Sequence, residues 1–356
     1  MISLFSLAQP GLFLLEPEQA HEATLRALEA GVHPRARTAD PVLRQSLWGL
    51  SFPNPIGMAA GFDKDARVCD ALLAVGFGFV EVGTVTPRPQ PGNPRPRVFR
   101  LMRERALINR LGFNSGGHAP AIARLSTRAP AGVVGVNIGP NKDAADPIED
   151  IVAGVRAFAN LASYLTINIS SPNTPGLRGL QAPERLDVLL QSALAERDAH
   201  KPGLPVLVKL APDMDDAALD EAIALLMERR VSGAVLTNTT VDRAGVPPSA
   251  HRGESGGLSG EPLFRRSTRF LARAYRASGG RLPLIGVGGV HDGETALQKI
   301  LAGASLIQLY TGLIYAGPGL VPAANAAIAA YLSERGFSRI SDAVGARSDE
   351  WADAKV

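Results

Sequence analysis

Residues 166–176 read TINISSPNTPG. The β-rich run 164–169 favours a strand, and Ser170, Ser171, Pro172, Asn173, Thr174, Pro175 and Gly176 end it abruptly. Asn168 and Ser170 fall on one strand face, and Ser171 on the other unless the turn redirects it. Amides and hydroxyls thus stand where an apolar strand opens into a loop. In a parallel barrel that end of a strand is where active sites are built. The plainer alternative is a polar turn that satisfies its own backbone.

The same unit repeats on both sides of this stretch. Strand candidates are 55–60, 79–84, 132–138, 164–169, 205–210, 233–238, 284–287 and 305–310. Helix-like segments such as 182–199, 215–230, 263–277 and 293–302 lie between them. Strand–helix alternation implies a parallel sheet, and eight units predict closure into an α/β (β/α)8 TIM barrel. The alternative, an open doubly wound sheet, calls for a Gly-rich fingerprint after its first strand. Residues 59–64, AAGFDK, do not supply one.

Each strand candidate ends in residues suited to more than a turn. In order these are Gly61 and Lys64; Thr84; Asn137; Asn168, Ser171 and Asn173; Lys209; Thr237, Asn238 and Thr239; Gly286, Gly288 and Gly289; and Tyr310, Thr311 and Gly312. Eight such ends on one face predict a ligand site. Lys209 lies inside the apolar run 206–210, where an unpaired ammonium costs several kcal/mol. It needs either a carboxylate or an electron-rich ligand ring, such as a reduced flavin; snorkelling to the strand end is the bland option. Glycines after the last two strands, followed by helix N-termini, mark the usual phosphate position in barrels. Asn109, Asn168, Asn173 and Asn238 offer neutral donor–acceptor pairs that suit a planar ligand with C=O and N–H edges, such as a pyrimidine. Lys64, flanked by Asp63 and Asp65, is either a surface ion pair or a holder of an anionic substrate.

The bulk numbers narrow the classes. The 356-residue chain is 46% hydrophobic and 20% charged, enough for a large core and against disorder. A net charge of +3 gives no argument for a nucleic-acid partner. Cys69 is the single cysteine, so no internal disulfide or cysteine cluster exists. His21, His33, His118, His200, His251 and His291 show no metal spacing, and no metal is expected. No apolar run reaches the length of a membrane span, and no basic region opens the chain as in a signal peptide.

The first forty residues differ from the rest. Ile2, Leu4, Phe5, Leu7, Leu12, Phe13, Leu14 and Leu15 are dense and nearly uncharged, with Pro10-Gly11 expected to interrupt any helix. Glu16-Pro17-Glu18 reads as a helix start, with the helix running to about Glu29 and Gly31 closing it. The pair either covers the bottom or side of the barrel or dips into a bilayer surface. Residues 38–50 read as a connector. The expected organisation is an N-terminal extension 1–40, a barrel 41–337 and a loosely ordered, small and polar tail 338–356.

Long ordered segments resemble the dihydroorotate dehydrogenase family, specifically its quinone-dependent class 2. They are AAGFDKD from Ala59, EVGTVTPRPQPGNPRPRVFRL from Glu81, INRLGFNS from Ile108, GVNIGPNK from Gly135 and INISSPNTPGLRGLQ from Ile167. VKLAPD from Val208, LTNTT from Leu236, GGLSGEPL from Gly256, IGVGGV from Ile285 and QLYTG from Gln308 continue the series. The resemblance implies an FMN-containing barrel that oxidises dihydroorotate to orotate in pyrimidine synthesis. It implies FMN contacts from Ala60, Gly61, Phe62, Asp63, Lys64, Thr84, Asn137, Asn168, Lys209, Thr237, Gly260, Gly289, Tyr310 and Thr311. Substrate contacts would come from Lys64, Asn109, Arg110, Leu111, Gly112, Phe113, Asn168, Asn173, Asn238 and Thr239. Ser171 would be the general base, with Thr174 and Phe113 framing a proton exit.

Class 1 members resemble this core but place cysteine where Ser171 stands and lack the extension. The NAD-linked class needs an iron–sulfur partner, and this chain has no cysteines for such a cluster. The resemblance therefore implies reoxidation by a membrane quinone beside His21 and Arg100. It turns the open question of the N-terminal helices towards membrane docking, with Pro10-Gly11 expected to shorten the first helix. A monomer held peripherally on the cytoplasmic face of a bacterial-type membrane is the expected state. A flavin barrel acting on RNA would need a basic face, and a non-enzymatic phosphate scaffold would need neither Lys209 nor Ser171.

Overall fold

The computed structural model describes residues 4–36, 38–129 and 131–355; Ile2 and Val356 lie outside them. Eight parallel strands form a closed barrel: β1 (Ile56–Met58), β2 (Phe79–Val85), β3 (Val133–Ile138), β4 (Tyr164–Asn168), β5 (Val206–Leu210), β6 (Gly233–Leu236), β7 (Leu284–Val287) and β8 (Leu306–Leu309). Each strand pairs with the next in sequence, and β8 returns to β1 through Gln308 opposite Gly57. The open doubly wound sheet is thereby excluded. All eight expected strands occur, with each end within two residues of the expected one. Their interior residues alternate with residues facing the helices, so both faces are buried and the runs are apolar throughout.

The interior is layered. Phe79 on β2 and Tyr164 on β4 form the lowest layer, with Phe52 beneath them. Next come Glu81, Thr166 and Gln308, linked by hydrogen bonds. Asn168 and Lys209, paired in register on β4 and β5, lie at the C-terminal end. Gly57 and Gly135 are required by this packing. A Cβ at either would sit 2.3 Å or 2.2 Å from the rings of Phe79 and Tyr164.

Several expectations fail for reasons of tertiary contact. Residues 38–50 are no simple connector: Gln45–Leu47 pairs antiparallel with Leu50–Phe52, turning at Trp48 and Gly49 with φ of 55° and 75°. This hairpin closes the N-terminal opening, and Trp48 Nε1 donates to the Ser232 carbonyl at 2.7 Å. The floor is therefore not covered by the N-terminal helices. Those helices are α1 (Leu4–Leu14) and α2 (Pro17–Glu29), which stand beside the cavity at the C-terminal end. Helix α1 runs through Pro10-Gly11. Proline removes one donor from the ladder, but tertiary bonds hold the helix. Gln9 Nε2 donates to the Tyr315 carbonyl at 2.8 Å, and the Arg100 guanidinium donates to the carbonyls of Phe13 and Leu15 at 3.2 and 2.8 Å. Helix α2 is tied to the barrel by Arg67, which pairs with Glu22 and Glu29, and by Arg97 with Glu18.

The tail is packed rather than loose. Ile340 and Ala343 are fully buried, and the Trp351 ring meets Phe264 edge-on at 5.7 Å. A few apolar residues in a polar segment suffice, because helices Phe264–Ala277 and Gly293–Leu301 offer a ready surface. A three-stranded antiparallel sheet, Val98–Leu101, Ala106–Asn109 and Gly257–Gly260, was not expected; it lies outside the barrel and brings Asn109 opposite Gly257.

Candidate active site

One cavity of about 1070 Å³ opens at the C-terminal end of the barrel and runs outward to α1 and α2. The loop after β1 shapes its near wall. Asp63 is fully buried, and its carboxylate accepts from the backbone N–H groups of Arg67 and Val68 at 2.7 and 2.8 Å. That fixes the turn and frees Lys64 from pairing with it. Lys64 Nζ instead donates to the Gly61 carbonyl at 2.8 Å, and burial lowers its pKa to about 8. Ala60, Gly61, Phe62 and Lys64 all line the cavity.

The turn after β4 resolves the ambiguity of its two serines. Ser170 turns inward, fully buried, and its hydroxyl donates to Asn168 Oδ1 at 2.8 Å. Ser171 reaches the cavity wall, and its Oγ accepts from the Asn173 N–H at 3.2 Å. Arg178 holds this turn in place: it donates to the carbonyls of Ser170 and Thr239 at 3.0 and 3.1 Å and to Asp213 Oδ2 at 2.9 Å. Asn173 Nδ2 donates to the Asn109 carbonyl at 3.1 Å, which ties the loop to the antiparallel sheet. Gly112 and Phe113 follow with φ of 69° and 52° and face the same space with Leu111.

Lys209 is 5% exposed and lines the cavity. Burial lowers its pKa, and the charge of Glu81 works against that shift. Among the described residues no carboxylate lies within ion-pair distance of its ammonium. Thr84, Asn168, Thr237, Asn238, Thr239, Gly260, Gly289, Tyr310 and Thr311 complete the wall. The expectation of a helix dipole after β7 changes in detail. Helix Gly293–Leu301 is capped by Asp292, whose carboxylate accepts from the Thr295 N–H at 2.7 Å. That bond satisfies one of its first-turn donors, helix Thr311–Ala316 after β8 has no side-chain cap, and Gly288 and Gly289 themselves face the cavity.

Four of the expected side chains do not reach that wall, and one of them, Thr174, is buried outside its lining. Asp63 serves its own loop. Arg110 turns outward to Glu254 Oε2 at 2.5 Å and stacks 4.5 Å over the Phe99 ring. Asn137 lies beneath the wall, bonded to Thr84 and Glu81. His21 and Arg100 both line the outer arm. His21 packs 5.2 Å from Phe62, which packs 5.6 Å from Tyr310; burial drives the His21 pKa down to about 3. Arg100 is engaged with the carbonyls at the C-terminus of α1, the favoured place for a cation. Sequence reading missed Glu81 and Arg178. A charged residue inside the apolar run 79–85 was the available signal for Glu81; nothing local marks Arg178.

A closed (β/α)8 barrel with a buried lysine, convergent amides and glycine turns at its C-terminal mouth has the layout of the barrel enzymes, whose active sites are built at that end. Comparison with known proteins narrows this. The family model described as dihydroorotate dehydrogenase matches residues 42–332. A dihydroorotate dehydrogenase (quinone) of Rhizobium rhizogenes is 51% identical, covering 100% of both chains. One from Parvibaculum lavamentivorans is 54% identical over 97% of this chain and 99% of its own. The crystal structure of DHODH from Eimeria tenella in complex with ferulenol superposes with a TM-score of 0.88 at 37% identity, covering 95% of this chain and 98% of that one. The chain belongs to the dihydroorotate dehydrogenase family.

Proposed function

We propose that this protein oxidises (S)-dihydroorotate to orotate, with FMN as hydride acceptor and a membrane quinone as final electron acceptor, in de novo pyrimidine (UMP) synthesis. The observation that carries the reading is that Ser171, Lys209 and the amides of Asn109, Asn168, Asn173 and Asn238 meet on one cavity that continues to His21. The residues fit FMN. Lys209 is a buried cation without a paired carboxylate, the partner an electron-rich ring requires. Gly61, Gly260 and Gly289 border the cavity at φ of 103°, 99° and 78°, which side chains rarely adopt, and a Cβ at Gly260 or Gly289 would strike the backbone of Arg105 or Phe264 at 2.4 or 2.3 Å. Thr84, Asn168, Lys209 and Thr237 would hold the ring system, and Gly260, Gly289, Tyr310 and Thr311 the ribityl phosphate. When bound, FMN supplies the acceptor for the hydride leaving C6.

The chain's own residues supply the rest. Ser171 Oγ removes the C5 proton; a hydroxyl is a weak base and must pass the proton on. Thr174 Oγ1 is buried with no hydrogen-bond partner among the described residues, and Phe113 borders the cavity; the proton leaves between them. Asn109, Asn173, Asn238 and Thr239 orient the diamide ring, and Lys64 meets the substrate carboxylate. The anion favours the charged form of Lys64.

Residues 1–40 act as the quinone-docking piece on the barrel of residues 41–337. Helix α1 has no charged residue, and Leu7 and Leu14 are 68% and 90% exposed. No described helix is long and apolar enough to cross a membrane. The reading is a monomer resting on the cytoplasmic face of the cell membrane, with α1 in the bilayer surface. Purified protein is expected to be yellow, and dihydroorotate to bleach it anaerobically. Quinone restores the colour, whereas NAD and fumarate do not. A colourless protein, or a flavin indifferent to dihydroorotate, overturns the reading.

A further inference from the structure

A single hydrogen-bond chain crosses the mouth of the barrel. Asn238 Nδ2 donates to Ser170 Oγ at 2.9 Å, and Ser170 Oγ donates to Asn168 Oδ1 at 2.8 Å. Asn168 Nδ2 donates to Thr84 Oγ1 at 2.9 Å, and Thr84 Oγ1 donates to Asn137 Oδ1 at 2.6 Å. Asn137 Nδ2 donates to Glu81 Oε1 at 2.8 Å. Every bond points the same way, and the chain ends on a fully buried carboxylate. The other oxygen, Oε2, accepts from Tyr164 Oη, Thr166 Oγ1 and Gln308 Nε2 at 3.1, 3.1 and 2.7 Å.

A carboxylate only accepts, so Asn137 must turn its NH2 to Glu81 and its carbonyl to Thr84. The Thr84 hydroxyl is thereby committed to donating to Asn137 and accepting from Asn168. The Asn168 carbonyl then faces Ser170, whose hydroxyl accepts from Asn238. Asn168 and Asn238 both line the cavity, while Glu81, Asn137 and Ser170 stand behind its wall. An amide turned end over end keeps its shape and reverses its chemistry towards a ligand.

We propose that Glu81 is a positioning residue: through this chain, and in agreement with the Ser170 and Thr239 N–H groups that donate to Asn168 Oδ1 and Asn238 Oδ1 at 3.3 and 2.8 Å, it holds one end of these amides towards the bound heterocycles and so supports the affinity for the diamide ring. The proposal rests on the reading of the substrate given above. Glu81→Gln tests it by logic as well as by loss. The three donors at Oε2 claim the new carbonyl, so the new NH2 must face Asn137, and the reversal this starts meets the Ser170 and Thr239 N–H groups, which donate to Asn168 Oδ1 and Asn238 Oδ1 at 3.3 and 2.8 Å, leaving one buried amide mispaired. Ser170→Ala cuts the chain between the two wall amides while leaving Glu81 and Lys209 in place, which separates orientation from charge. Tyr164→Phe removes one donor to the same carboxylate without altering the sense of the chain.

The readout is orotate affinity, titrated by the flavin absorbance change in holoprotein. A mispaired buried amide is expected to weaken orotate binding by about tenfold or more in Glu81→Gln and Ser170→Ala. Tyr164→Phe should bind orotate like the parent even where its melting temperature falls. Parent-like affinity in Ser170→Ala, or an equal loss in Tyr164→Phe, overturns the proposal, and the Ser170 variant decides if Glu81→Gln fails to fold. Failure of the parent protein to bind orotate at all would instead sink the substrate assignment.

Discussion

The two ends of the barrel are made by the same eight strands and have opposite chemistry. At the N-terminal end Phe52, Phe79 and Tyr164 are fully buried, with ring centroids 5.5 Å apart for the first pair and 6.4 Å for the second. At the C-terminal end the same strands present Asn168 and Lys209 to a cavity. Tyr164 and Asn168 are four residues apart on β4, about 13 Å of strand. Over that distance the interior passes from hydrocarbon through a hydrogen-bonded carboxylate to an open ligand site. The lesson is a division of labour. Burial of large rings at the floor stabilises the barrel, and that margin lets the mouth keep a buried, unpaired ammonium and a loop-borne serine that lower stability but serve chemistry.

The sharpest way to break this division is at the mouth. Ser171→Ala should keep flavin and fold but slow anaerobic bleaching by dihydroorotate by about 10²–10⁴-fold, the usual worth of a general base. Stopped-flow absorbance at neutral pH measures it, and an unchanged rate removes Ser171 from the role. The converse test is at the floor. Phe79→Ala should lower stability by about 3–5 kcal/mol through loss of burial and a residual cavity, read by denaturant unfolding. The bleaching rate of its folded holoprotein should not move; if it does, floor and mouth are not separable.

A smaller effect is expected at the edge of the cavity. Arg100→Ala frees the carbonyls that end α1 and should loosen that helix by about 1–2 kcal/mol. Quinone-dependent turnover should fall while flavin reduction by dihydroorotate is unaffected. Equal slowing of both steps would detach α1 from the quinone route. The smallest effect concerns His21. Its folded pKa of about 3 lies below the usual histidine value, because burial disfavours the cation. The sign follows: above pH 6.5 both folded and unfolded forms are neutral and His21 contributes no pH dependence. As pH falls from 6.5 towards 3 the unfolded imidazole takes up a proton that the folded one refuses, so stability declines. Replacing His21 by Gln should flatten that acid limb in unfolding experiments. It should leave the neutral pH profile of quinone turnover without a missing ionisation.

Much of this was legible from the residues. The strands were found because their signal is local: apolar β-branched runs cut by Gly, Pro and Asn. The mouth was found because its polar residues recur at the same place in each repeat. Lys209 stood out as a charge in an apolar run. Glu81 stands in an equally apolar run, 79–85, and was passed over, because the four donors that make it tolerable come from β3, β4 and β8. The course of α1 through Pro10 and the packing of the tail were misread for the same reason. Their stability lies in contacts with Tyr315, Arg100 and Phe264, which stand 306, 85 and 87 residues away along the chain from Gln9, Leu15 and Trp351.

The order of residues by itself determined the repeating strand–helix unit, the parallel barrel and the identity of the groups at its mouth, since propensity and periodicity act between neighbours. Only the tertiary structure decided which of Ser170 and Ser171 faces the cavity, that Asp63 and Arg110 turn away from it, and that one buried carboxylate gives a common direction to a line of amides. Those outcomes depend on donors and acceptors meeting across strands, and hydrogen-bond partners distant in sequence leave no trace in local pattern.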